Sequence, residues 1–275
     1  MTGVQTCALP ICFTILDLGA SPGSPQIDQA ELVDGPATTG RAIAETAARY
    51  GAKLHELFLV SIALGDGSVP RPAAIGDADT RRALAERLRP ICGGALEAGF
   101  ASIMLGTGGT VEGQAHDEAM RNAADTLNEL YDVARASGIA LHVEPAAGSV
   151  IDTVERVRRF IHLCPSLRIT LDYAHFTGAG TKLEEIYPLH ELAGHIHLKP
   201  ATYREYKVAF RRNEIDFAAV VRRLVADGWD GVASAETIYE VGSTDFDTNP
   251  VAQGVLVLEA ARAGLDRDRD DLRYP

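Results

Sequence analysis

The sequence predicts an α/β protein built as a (β/α)8 barrel, with seven of its eight strands recognisable. Two observations predict this. Short aliphatic or β-branched runs alternate with longer amphipathic stretches along the chain, the pattern of a parallel sheet covered by helices. The last four of those runs each end on a side chain able to bind a metal, at the strand end where such barrels build their sites. The 275 residues suit one barrel of roughly 250 residues, and no linker divides them.

The expected strands are 13–19, 52–60, 100–106, 139–145, 167–173, 194–199 and 231–236. Helices are expected over 36–50, 78–98, 114–137, 150–163, 181–191, 215–227 and 250–263. In 78–98, Leu84, Leu88, Ile91 and Leu96 recur near the helical period and should form its buried face. Asp79 and Asp152 stand where N-caps belong, and Gly99, Gly138 and Gly228 where helices should stop. The opening MTGVQTCALPIC has no caps or periodicity and resembles a translated sequencing-adapter remnant. Residues 1–12 are therefore read as non-native and standing in place of the first strand, 13–265 as the barrel, and 266–275 as a charged, disordered tail.

Composition excludes several function classes. There are 38 acidic against 26 basic residues, a formal net charge of −12, which repels nucleic acid unless a basic patch offsets it. None stands out: Arg211–Arg212 and Arg222–Arg223 read as solvated surface pairs. Cys7, Cys12, Cys92 and Cys164 have no metal-ligand spacing and fit a reducing cytoplasm, where they act as small apolar residues. No apolar run is long enough to span a bilayer, and no basic residue precedes Arg41, which argues against a signal peptide and for a cytoplasmic protein.

The chemistry concentrates on four strand ends. IALHVEP ends with Glu144, LRITLDY with Asp172, GHIHLK with His197 and GVASAE with Glu236. Each separation is one strand–helix–strand step, so the four heads should converge. Three carboxylates and one imidazole suit one Mg²⁺, Mn²⁺ or Co²⁺ ion with positions left open for substrate oxygens. A lone strand-end Glu is usually a rim charge and a lone His a core residue; four on consecutive strands fit that reading poorly. One layer lower, His142 and His195 share the inward face, as second-shell partners or as hydrogen-bonded core. His175, three residues past Asp172, should overhang the mouth and contact a substrate hydroxyl.

LDYAHF with its D-x-x-H, the preceding HVEP, the following HIHLK, and EIDFAAVVRRLVADGWDGVASAE resemble the sugar phosphate isomerase/epimerase family of xylose-isomerase-like TIM barrels. The resemblance covers roughly residues 13–263. It implies that Glu144, Asp172, His197 and Glu236 hold one divalent ion and that Glu144 and Glu236 face each other as the acid/base pair. It implies a small sugar or polyol as substrate, isomerised or epimerised through an enediolate; the net charge and the lack of a bilayer-length apolar run argue against nucleic-acid and membrane partners, and self-assembly is left open. The family's glycine-rich GxGxID turn is replaced here by RRNEID at 211–216. In the preceding loop, Arg204 is the first choice for a substrate-binding cation, with Lys199 as another.

Three other readings stand beside this one. The same carboxylates could expel water from an inosose or 3-dehydroshikimate, making the protein a dehydratase. An endonuclease-IV-like hydrolase shares the barrel, but its extra histidines are missing from the ends of the early strands. A barrel lacking its first strand could also be inactive.

Overall fold

All seven expected runs are strands in the structure, a computed structural model that describes residues 13–24, 26–237 and 248–271. In chain order the strands are β1 (Ile15–Ser21), β2 (Ile27–Asp28), β3 (Lys53–Val60), β4 (Ser102–Gly106), β5 (Ala140–Glu144), β6 (Arg168–Asp172), β7 (Ala193–Leu198) and β8 (Ala233–Ala235). Only the two-residue β2 had no signal in the sequence. The expectation for residues 1–12 lies outside the described residues. The chain forms two units that meet within β6, one ending at Ile169 and the other starting at Thr170.

In the first unit the strands follow the order β2-β1-β3-β4-β5, every pair parallel. The start of β6 continues the sheet through His142↔Arg168 and Val143↔Ile169. Irregular register between Leu16 and Leu18, and again between Phe58 and Val60, lets β1 and β3 shift along their neighbours. The helices are α1 (Gln29–Asp34), α2 (Pro36–Arg49), α3 (Ala78–Ala98), α4 (His116–Ser137) and α5 (Val154–Leu163). The buried face of α3 carries Leu84, Leu88, Ile91 and Ala95. Leu96, expected on that face, is 39% exposed, because a step of four from Ile91 reaches Ala95 and leaves its neighbour outside.

Two N-caps fall one or two residues from the expected ones. Asp77, not Asp79, accepts the Thr80 N–H at 2.7 Å, and Thr153, not Asp152, accepts that of Arg156 at 3.2 Å. An N-cap side chain stands just before the first turn and accepts an N–H two or three residues ahead, so Asp79 inside the first turn serves the helix dipole instead. Gly99 and Gly138 end their helices with φ of 92° and 88°, which a side chain would resist. Cys92 and Cys164 are buried, and burial pushes their thiols up to about 11 and about 12.

Helices α2 and α3 approach through paired glycines. A Cβ on Gly40 would stand 2.4 Å from the Gly94 carbonyl oxygen and 2.7 Å from Glu97 Cβ. Neither backbone nor Cβ can yield. Gly40→Ala should therefore destabilise the protein by about 1–3 kcal/mol despite alanine's better helix propensity. Chemical denaturation measures this; a stabilised variant would show that the helices separate freely.

The second unit carries the end of β6 beside β7 and then β8, with β7 and β8 parallel. Its helices are α6 (Tyr173–Gly178), α7 (Leu183–Ile186), α8 (Phe217–Ala226) and α9 (Pro250–Asp271). The expected helix over 181–191 is instead the short α7 followed by a 3₁₀ stretch, Tyr187–Leu192. Pro188 has no N–H to extend the α-helical ladder, so the chain tightens there. Helix α9 runs on to Asp271, six residues into the segment read as a disordered tail. Gly228 follows α8 with φ of 71°, as its stop role requires. No helix among the described residues is long and apolar enough to cross a membrane.

Candidate metal centre

Asp172 closes β6 and at the same time opens α6. Its Oδ1 accepts the Ala174 N–H at 2.8 Å, capping the helix. That turn brings His175 back over Asp172, with Nε2 3.3 Å from Asp172 Oδ2. The D-x-x-H spacing is therefore one helical turn, which sets His175 against the Asp172 carboxylate. The adjacent Tyr173 anchors the turn, its hydroxyl bonded to His190 Nε2 while His190 Nδ1 meets Asp227 Oδ2 at 2.7 Å.

In the second unit Asp172, His197 and Glu236 each offer a ligand atom within 4.8 Å of the others. Two ligands bound to one ion at 2.0–2.6 Å lie at most about 5 Å apart, so these heads fit a shared cation. His197 Nδ1 stands 3.3 Å from Glu236 Oε2. Glu236 lies just past β8 and is held by its N–H bond to the Leu198 carbonyl, 3.1 Å. Asp172 Oδ2 is fully buried without a hydrogen bond of good geometry, although charged groups surround it. Such an oxygen is what an ion would satisfy.

A buried ammonium completes the cluster. Lys199 is 5% exposed; its Nζ meets Asp172 Oδ2, lies 3.1 Å from Glu236 Oε2 and 3.4 Å from His175 Nε2. Burial pushes the Asp172 carboxyl above the usual range against the pull of Lys199. Burial also works to raise Glu236, but the His197 hydrogen bond and the Lys199 charge outweigh it and hold that carboxyl low. Two carboxylates side by side in little water are tolerable here because an ammonium lies between them.

The remaining candidates separate. His195 is buried with its ring edge-on to His197, centroids 5.1 Å apart. Arg204 is exposed, its guanidinium over the Tyr203 ring at 5.0 Å and its backbone N–H on the Gly178 carbonyl. The cation that reaches the cluster is Lys199. Tyr206 packs on Gly178, where a Cβ would strike its ring at 2.3 Å, and lies 6.0 Å from the His175 ring. The RRNEID segment replaces glycine flexibility with side-chain bonds: Asn213 Oδ1 accepts the Ala201 and Ile215 N–H groups, and Asp216 caps α8.

Glu144, in the first unit, is 7% exposed at the end of β5. Beneath it His142 does not stand alone. Its Nδ1 lies 2.7 Å from Glu56 Oε1, which also accepts the Ser102 hydroxyl at 2.9 Å. Glu56 is fully buried, and the sequence reading passed over it. A charged residue inside the apolar run HELFLV was the available signal, since a buried glutamate needs partners.

A family model described as Xylose isomerase-like TIM barrel matches residues 18–261. The chain belongs to that family. Solved structures similar to this xylose isomerase-like barrel include a D-tagatose 3-epimerase-like protein, 20% identical over 94% of this chain and 91% of that one, TM-score 0.70. Another is the 3-keto-D-glucoside 4-epimerase of E. coli, 17% identical over 91% and 99%, TM-score 0.62. A third is the IOLI protein with a bound zinc atom, 13% identical over 96% and 90%, TM-score 0.64. At these identities they show a shared fold. No curated protein matches the chain.

Proposed function

We propose that this chain is a divalent-metal-dependent isomerase or epimerase of small sugars or keto-polyols. The observation that carries the reading is the close grouping of Asp172, His197 and Glu236 in the second unit. Glu144, at the end of β5 in the first unit, is the proposed fourth ligand, on the resemblance of its HVEP motif. A 3-keto-D-glucoside 4-epimerase, a D-tagatose 3-epimerase-like protein and a zinc-bound protein among the similar folds support the same reading.

The four residues would hold one Mn²⁺, Mg²⁺ or Co²⁺ ion, whose charge supplies stabilisation for the enediolate oxygen. Glu144 and Glu236 are the bases: one removes the proton next to the substrate carbonyl, and the other returns one to the opposite face or the neighbouring carbon. His175, held against Asp172, donates a hydrogen bond to a substrate hydroxyl. His195 fixes the ring of His197. The net charge of −12 disfavours a nucleic-acid substrate.

Incubation of the Mn²⁺-loaded protein with a panel of ketoses and inososes in D₂O, followed by NMR and mass spectrometry, tests the assignment. Deuterium incorporation next to the carbonyl with an isomeric product is the expected result. Loss of water would make the protein a dehydratase, and absence of exchange across the panel would remove the enolising reading.

A further inference from the structure

We infer that the Lys199 ammonium is a built-in competitor of the divalent ion, occupying the carboxylate oxygens that the ion needs. The inference rests on the metal-site reading above. Asp172 commits Oδ1 to the cap of α6, which leaves Oδ2 as its ligand atom. Lys199 Nζ contacts that same Oδ2 and sits 3.1 Å from Glu236 Oε2, the oxygen that faces His197. An ion held at about 2.0–2.6 Å from these oxygens would lie against the ammonium. Two cations so close in a buried site repel strongly, so only one can hold the position.

Two features make exchange feasible. The lysine stem carries four rotatable carbons, so its head can withdraw while the backbone of β7 stays fixed. His175 Nε2, 3.4 Å away, already marks a neighbouring polar position for the withdrawn head. The ammonium neutralises the two carboxylates it meets and holds them close together. The site is then preformed, and its ion affinity is reduced by the contacts that must break.

Mn²⁺ titrations by calorimetry on the wild type, Lys199→Met and Lys199→Gln test this. Both variants should bind Mn²⁺ about tenfold or more tightly, a difference of roughly 1.4 kcal/mol. Equal or weaker binding in the variants would overturn the inference. If wild-type binding is lost in Asp172→Asn while neither Lys199 variant gains, the metal site stands and only the competition fails. If no protein binds Mn²⁺, both fall together. A measurement on the wild type alone covers poorly folding variants: the ¹⁵Nζ resonance of Lys199 should move when Mg²⁺ is added, and an unmoved resonance at saturation would also overturn the inference.

Discussion

Glu236→Gln should lower kcat by about 10³-fold or more on whichever substrate the panel identifies, with little change in melting temperature. Glutamine keeps the shape of the side chain and can still approach Lys199 and His197, which now stand 3.1 and 3.3 Å from Glu236 Oε2. It cannot accept a substrate proton, and losing that transfer costs roughly 10²–10⁴-fold. It also binds a divalent ion more weakly than a carboxylate does, which adds to the loss. Glu144→Gln should behave alike, and the double variant should be scarcely worse than either single one, because the two residues act as a unit. Activity within tenfold of wild type in either single variant would remove the two-base mechanism.

Glu56→Ala should be the most destabilising single change among the residues discussed. Glu56 is fully buried, and its Oε1 takes both the Ser102 hydroxyl and the edge of His142. Removing the acceptor strands two polar groups in a dry interior and opens a cavity, at a combined cost of about 3 kcal/mol or more. For a chain of this size that corresponds to a fall in melting temperature on the order of 6–12 °C. Glu56→Gln, which keeps one acceptor oxygen, should lose distinctly less. A melting temperature unchanged in Glu56→Ala would show that the network contributes nothing to the fold.

Much of this architecture is legible in sequence because, the two-residue β2 aside, strand order follows chain order and each strand is a short, mostly apolar run. Asp172 and His197 could be placed from their positions at strand ends alone. Contacts that depend on register could not. The shifts at Leu16/Leu18 and Phe58/Val60 leave no signature in residue type, and they help decide which side chains of β1 and β3 face inward. Glu56 shows in the sequence only as a charge inside an apolar run, and that it faces inward depends on this register. Helix α6 was missed because six residues are too few to show a period, yet it is what folds His175 onto Asp172. Arg204 and Lys199 are only five residues apart, and only the turn after β7 separates one cation onto the surface and the other into the carboxylate cluster.

The proposed function requires that Glu144, Asp172, His197 and Glu236 hold one divalent ion. Metal analysis of the purified protein after Mn²⁺ loading and exhaustive dialysis tests it most directly, with His197→Ala treated in parallel. One equivalent per chain is expected in the wild type and a small fraction of that in the variant. A wild type that retains no metal, or a variant that retains as much as the wild type, would contradict it.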